Sequence, residues 1–385
     1  MILRRTLVVL AALGVLAGCS DKDKVVEKPA ELVDLNSTLA VQKLWSSSVG
    51  GGGEKLRLAL GIAEDSGVLY AAARDGKVRA IDAATGRTRW DADTEAELSA
   101  GPAAGDGLLV VGTTGGSVIA LEAETGKQRW RVNVTGEVLA APLVAGDRII
   151  VRSVEGRLRA LNAADGREAW MVEDIVPRLT LRGTSPPVRS GDVVLCGFDS
   201  GRVMAVAIGT GDILWQAQVS SPRGRTELER LADIDAAVRV AGDEVYAVGY
   251  QGRVAMIALD TGQLWWARDL SSYSGMSVDD SQLYVANSDG EVVALRRRDG
   301  GTVWQQTGLR RRALGTPVVH AGAIVVGDFD GYLHWMDRES GRFVARERPG
   351  SARIAAAPVV VGDRLFVMDE GGKVVAYAGG GAAGR

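Results

Sequence analysis

Side chains that could do chemistry are few in this sequence and thinly spread. There are two histidines, His320 and His334, with no Cys/His or His/carboxylate spacing typical of a metal site. No G-x-S-x-G nucleophile elbow and no phosphate-cradling glycine loop occurs. Aspartate follows glycine at Asp106, Asp147, Asp192, Asp243 and Asp363, a regularity that fits turns in which Asp caps its own backbone. The arginine runs Arg296–Arg298 and Arg310–Arg312 read as solvated strand edges. Of two cysteines, Cys196 lies in the apolar run Val193-Val194-Leu195-Cys196 and reads as a buried core thiol. Catalysis therefore has little to work with, and neither a metal nor a cofactor is expected.

The other cysteine has a different context. Arg4 and Arg5 precede an apolar run, Leu7 to Leu16, and Leu16-Ala17-Gly18-Cys19 follows. This order is a secretory signal ending in a cleavage site, and it resembles the bacterial lipobox, whose cysteine is lipidated as the mature N-terminus. Residues 1–18 are the expected signal peptide, and residues 19–40, charged and weakly patterned, the expected flexible tether. Removing Arg4 and Arg5 takes the formal charge from −3 to −5, which gives no electrostatic case for nucleic acid. Ser20 after the cysteine favours the outer membrane by resemblance to lipoproteins, although Asp21 follows.

The elements that must position any site are repeats. Glycines at 76, 116, 156, 201, 252, 290, 331 and 372 mark eight copies of about forty residues. Gly116–Trp130, GSVIALEAETGKQRW, shows the unit: a strand, a turn at Thr125-Gly126, and a second strand reaching Trp130. The turn glycine recurs at 86, 126, 166, 211, 262, 300 and 341, where hairpins require positive φ. Trp90, Trp130, Trp170, Trp215, Trp266 and Trp304 follow four residues later, with Ala345 in the seventh copy. Tryptophans at one repeat position are expected to pack between neighbours. Eight copies of four strands predict an all-β fold, an eight-bladed β-propeller of antiparallel blades over 41–378. The eighth copy stops at Val374-Val375-Ala376-Tyr377, and Leu44-Trp45-Ser46 near the other end is expected to complete it and close the ring. Residues 379–385 read as a flexible tail.

Two stretches break the period. The chain gains five residues between Trp170 and Gly201, around Ile175–Pro187, and about eleven between Trp215 and Gly252, around Ser221–Asp235. They belong to adjacent blades and are expected on one rim, offering Leu179, Leu181 and Leu231 beside Arg182, Arg230, Asp233 and Asp235. Apolar anchors ringed by charge suit a protein interface; solvated loops with an internal Arg–Asp pair fit the composition equally.

The segments LTLRGTSPP and RLADID, the lipobox, Leu44–Gly50 and Gly327–Trp335 together resemble the BamB family, lipoprotein subunits of the outer-membrane β-barrel assembly machinery. The resemblance spans essentially the whole chain. It implies a non-enzymatic scaffold, anchored at Cys19 to the periplasmic face of the outer membrane. Its partner would be the periplasmic POTRA domains of BamA, with nascent outer-membrane proteins as further contacts. Carried over by position, the partner-binding residues would be Leu179, Leu181, Arg182, Asp233 and Asp235. Arg182 would pair with an acidic partner residue or brace one of the two aspartates. The repeat form AIDAATGRTRW at Ala80–Trp90 also resembles quinoprotein dehydrogenases holding pyrroloquinoline quinone, but this chain lacks their adjacent cysteine pair. A carbohydrate- or peptidoglycan-binding propeller is the third reading; it would need exposed aromatics on one face, and most tryptophans are used by the repeat.

Overall fold

The computed structural model describes residues 28–51 and 58–382, so the signal segment and Cys19 lie outside the described residues. Eight antiparallel sheets follow one another around a ring. Blade two shows the order from the centre outwards: Leu98–Gly105, Leu108–Thr113, Ser117–Glu122 and Gln128–Asn133. Its inner strand also pairs in parallel with the short strand Ala59–Leu60. Blades one to seven occupy 62–93, 98–133, 143–173, 188–218, 239–269, 276–306 and 318–347. The eight-bladed, all-β expectation holds.

The middle two strands of each blade carry the apolar runs that the sheets bury on both faces, as in Leu108–Thr113, where every residue is buried. The core therefore lies between blades. One cluster joins Val110, Val118 and Trp130 of blade two to Ile149, Val151 and Leu161 of blade three.

The tryptophans bridge those layers, as expected. Trp130 Nε1–H donates to the Ala163 carbonyl of the next blade at 2.9 Å, and Trp90 does the same to Ala123 at 3.0 Å. Beneath each ring lies the turn glycine of that next blade. A Cβ on Gly126 would stand 2.6 Å from the Trp90 ring, and φ there is +73°. The Thr-Gly glycine is thus required twice, by its turn and by its neighbour's indole.

Blade eight consists of Val359–Val361, Arg364–Met368, Lys373–Ala382 and, from the other end of the chain, Leu39–Ser48. The closing strand is the one expected, and Trp45 on it docks onto blade one, with Nε1–H donating to Ala83 O at 3.2 Å. The seam also explains Ala345. Blade eight has no turn between its third and fourth strands, so no turn glycine awaits an indole from blade seven. Trp335, fully buried, occupies that interface instead and donates to His320 Nδ1 at 3.2 Å. The boundaries shift: the closing strand starts at Leu39 rather than Val41, and its partner runs to Ala382, past the expected end at 378. Residues 28–38, expected within a free tether, lie against blades six and seven.

Candidate partner interface

Both period-breaking stretches connect the outer strand of one blade to the inner strand of the next, 174–187 between blades three and four and 219–238 between blades four and five. They share one face of the ring and are tied together. Ser185 Oγ donates to Ala236 O at 3.0 Å, and blade five holds the second loop from its other side, where the Tyr250 amide donates to Asp233 O at 2.8 Å. A Cβ on Gly183 would sit 3.3 Å from the Asp235 carboxyl carbon, so the second loop rests on the first.

The five expected partner-binding residues divide into two groups. Leu179 is 38 % exposed, Leu181 half-buried, and Arg182 exposed. Leu181 and Arg182 stand at the wall of a central cavity of about 500 Å³, which Asp235 also lines. Ile175 and Leu228 add exposed apolar surface on the same two loops. Asp233, by contrast, is 1 % exposed and Asp235 is largely covered. Asp233 cannot meet a partner with its side chain while the loops keep this form. Leu231 is also buried, which removes it from the exposed anchors. Arg182 Nη2 stands 3.6 Å from Glu137 Oε2 on the connection from blade two to blade three.

Behind the loops the two aspartates meet a third that sequence reasoning missed. Asp199 follows Phe198 at the end of a blade-four strand, and one carboxylate oxygen from each of Asp199, Asp233 and Asp235 lies within 4.8 Å of the others. Neither Asp233 oxygen has a hydrogen bond of normal geometry. Arg152, wholly buried, sends Nη2 to within 3.4 Å of the Asp199 carboxylate and lays its guanidinium over the Phe198 ring at 4.6 Å. Burial first, and then the Asp199 charge, push the Asp233 carboxyl up to about 7. Burial also raises Asp235 well above the usual carboxylate range, with Asp233 and Asp199 adding to it. Asp199 rises too, through burial opposed by Arg152. Three carboxylates could offer oxygen ligands to a hard cation, but Arg152 already supplies positive charge inside the group. The upward shift of all three carboxyls, caused first by burial, works in the same direction by favouring their neutral forms. The signal for this cluster was an arginine, Arg152, directly after the apolar run Ile149-Ile150-Val151 and within the same strand.

Cys196 is buried, with Sγ 3.4 Å from Ser185 O, and burial pushes its thiol up to about 12. That fits an inert core thiol. His320 is buried beside Trp335, and His334 beside Asp328.

The ring of blades with Thr-Gly turns and docking tryptophans defines an eight-bladed propeller of the PQQ-like repeat class. The family model described as outer membrane protein assembly factor BamB matches residues 74–306 and 289–382. The chain is 48 % identical to the assembly factor BamB of Pseudomonas aeruginosa over 360 residues, 94 % of this chain and 95 % of that protein. The crystal structure of BamB from Moraxella catarrhalis superposes with a TM-score of 0.81 at 28 % identity, covering 88 % of this chain and all of that one. A quinohemoprotein alcohol dehydrogenase from Pseudomonas putida shares the fold, with a TM-score of 0.69 at 15 % identity over 88 % of this chain and 76 % of that one. The chain belongs to the BamB family of outer-membrane protein assembly factors.

Proposed function

We propose that this chain is a non-enzymatic scaffold of the outer-membrane β-barrel assembly complex, held at the periplasmic face of the outer membrane by lipid on Cys19. It binds the POTRA domains of BamA through the face carrying the 174–187 and 219–238 loops and assists folding and insertion of barrel proteins. The observation that carries this reading is the pair of inter-blade loops, braced against each other from beneath and exposing Leu179 and Arg182 above. Leu179 and Leu181 fill apolar recesses on the partner, and Arg182 orients it by charge-assisted hydrogen bonding. Exchange of Glu137 for an acidic partner residue keeps Arg182 paired on binding. Asp233 and Asp235 act indirectly, by shaping the backbone that presents Leu181 and Arg182.

Family membership favours this over quinone oxidoreduction, since the dehydrogenase likeness extends to the fold alone. The test is co-purification with the periplasmic domains of BamA. Leu181→Ala combined with Arg182→Ala abolishes it while the circular dichroism spectrum stays native. Normal co-purification of that folded double variant removes the site assignment.

A further inference from the structure

The segment before the closing strand is fastened to the ring. The Ala30 amide donates to Arg310 O at 2.9 Å, and Arg312 Nη1 returns a bond to Ala30 O at 3.1 Å. Leu32 packs on the apolar cluster between blades six and seven, which includes Trp304, Leu309 and Leu314. Arg346 Nη1 donates to Val33 O at 2.7 Å, and the Thr38 amide to Val344 O at 2.8 Å. From there the chain enters the closing strand at Leu39.

The two arginines that grip this arm are themselves fixed. Arg312 is 4 % exposed, with Nε on Asp328 Oδ2 at 2.7 Å and Nη2 on Asp330 Oδ2 at 2.8 Å. Arg346 Nε donates to His334 Nδ1 at 3.2 Å, which leaves His334 Nε2–H to donate to Asp328 Oδ2 at 2.9 Å. An unstructured tether would not need a buried network holding two of its carbonyls.

The place where the arm reaches the ring matters. Arg310 and Arg312 lie on the connection between blades six and seven. That connection joins an outer strand to the next inner strand, so it lies on the same face as the 174–187 and 219–238 loops, three blades round from the first and two from the second. Lys28 is nine residues from Cys19, a span of at most about 32 Å when fully extended.

We propose that residues 28–38 are a docked strap, and that a bilayer holding the lipid on Cys19 therefore meets the ring on its loop-bearing face, near blades six and seven. The orientation rests on the anchor reading above; the docking does not. Hydrogen exchange of the full chain tests the docking. The Ala30 and Thr38 amides, which donate to Arg310 O and Val344 O, exchange at least tenfold more slowly than in an unstructured chain. Ala30→Pro with Leu32→Ser, both on the arm and outside the blades, brings the Thr38 amide to the unstructured rate while the strand Ala323–Gly327 keeps its protection. Wild-type Ala30 and Thr38 amides that already exchange freely overturn the strap.

Orientation is read on the lipoprotein in phosphatidylethanolamine–phosphatidylglycerol vesicles, by energy transfer from a single label to dye in the bilayer. A label at Arg225→Cys, on the loop face, transfers more strongly than one at Asp212→Cys, on a turn of the opposite face, and the strap variant loses the difference. Equal transfer from both positions on vesicle-bound protein overturns the orientation. Failure to bind vesicles at all overturns the anchor and the orientation together, and a protected arm then stands by itself.

Discussion

Asp233 shows how a single side chain can matter to an interface without touching it. The carboxyl is buried between two other acids and leans toward the protonated form near neutral pH. An acid whose folded value is raised binds more protons folded than unfolded, so stability falls as pH rises from about 4 through about 7. Asp233→Asn removes the charge and keeps the shape. It is therefore expected to melt higher than wild type at pH 8, by on the order of 1–2 kcal/mol or about 2 °C for a chain of this size, and level with it at pH 4. Thermal denaturation at the two pH values measures this; an Asn variant that is less stable at pH 8 would show that the ionised carboxylate supports the loops. Sequence could name Asp233 and Asp235 but not their burial. Their exposure depends on Asp199 and Arg152, which come from other stretches of chain and meet them only once the blades close.

At the scale of the blade, much was legible because the period repeats one physical unit. The spacing of glycine to glycine to tryptophan carried the hairpin, and repetition of an aromatic at one position carried the packing between blades. Hidden was the reason the two recur together. Nothing in Gly116–Trp130 says that Gly126 lies under Trp90 of the preceding copy, since that contact crosses between units. Two glycines of blade two separate the causes. Gly107 and Gly126 both have positive φ, +76° and +73°, but a Cβ on Gly107 meets nothing within 4 Å. Gly107→Ala is expected to cost about 1 kcal/mol, the conformational part alone. Gly126→Ala adds a collision with the indole and should cost on the order of 3 kcal/mol. Denaturant unfolding of the two variants checks the difference, and equal losses would mean that the turn alone demands the glycine.

For the whole molecule, the decisive element is the strand that completes blade eight from the other end of the described chain. Blades one to seven are each built from one continuous stretch, whereas blade eight needs Leu39–Ser48 to cover the Lys373–Ala382 edge. An open ring would expose that edge as a template for pairing. It would also leave Gly86 without the indole of Trp45, whose ring a Cβ there would approach to 2.6 Å. Closure couples the seam to every other interface, because each blade then has two neighbours and none can loosen alone. Trp45→Ala should therefore act on the ring as a unit. It removes a ring that packs on Phe366 with centroids 5.8 Å apart, together with the bond to Ala83, at an expected cost of about 3 kcal/mol. The unfolding transition should move to lower denaturant while staying a single step, and hydrogen exchange should rise in blades one and eight before the others. A second, separate transition would show instead that blade eight melts alone and that the remaining seven blades hold together without the seam.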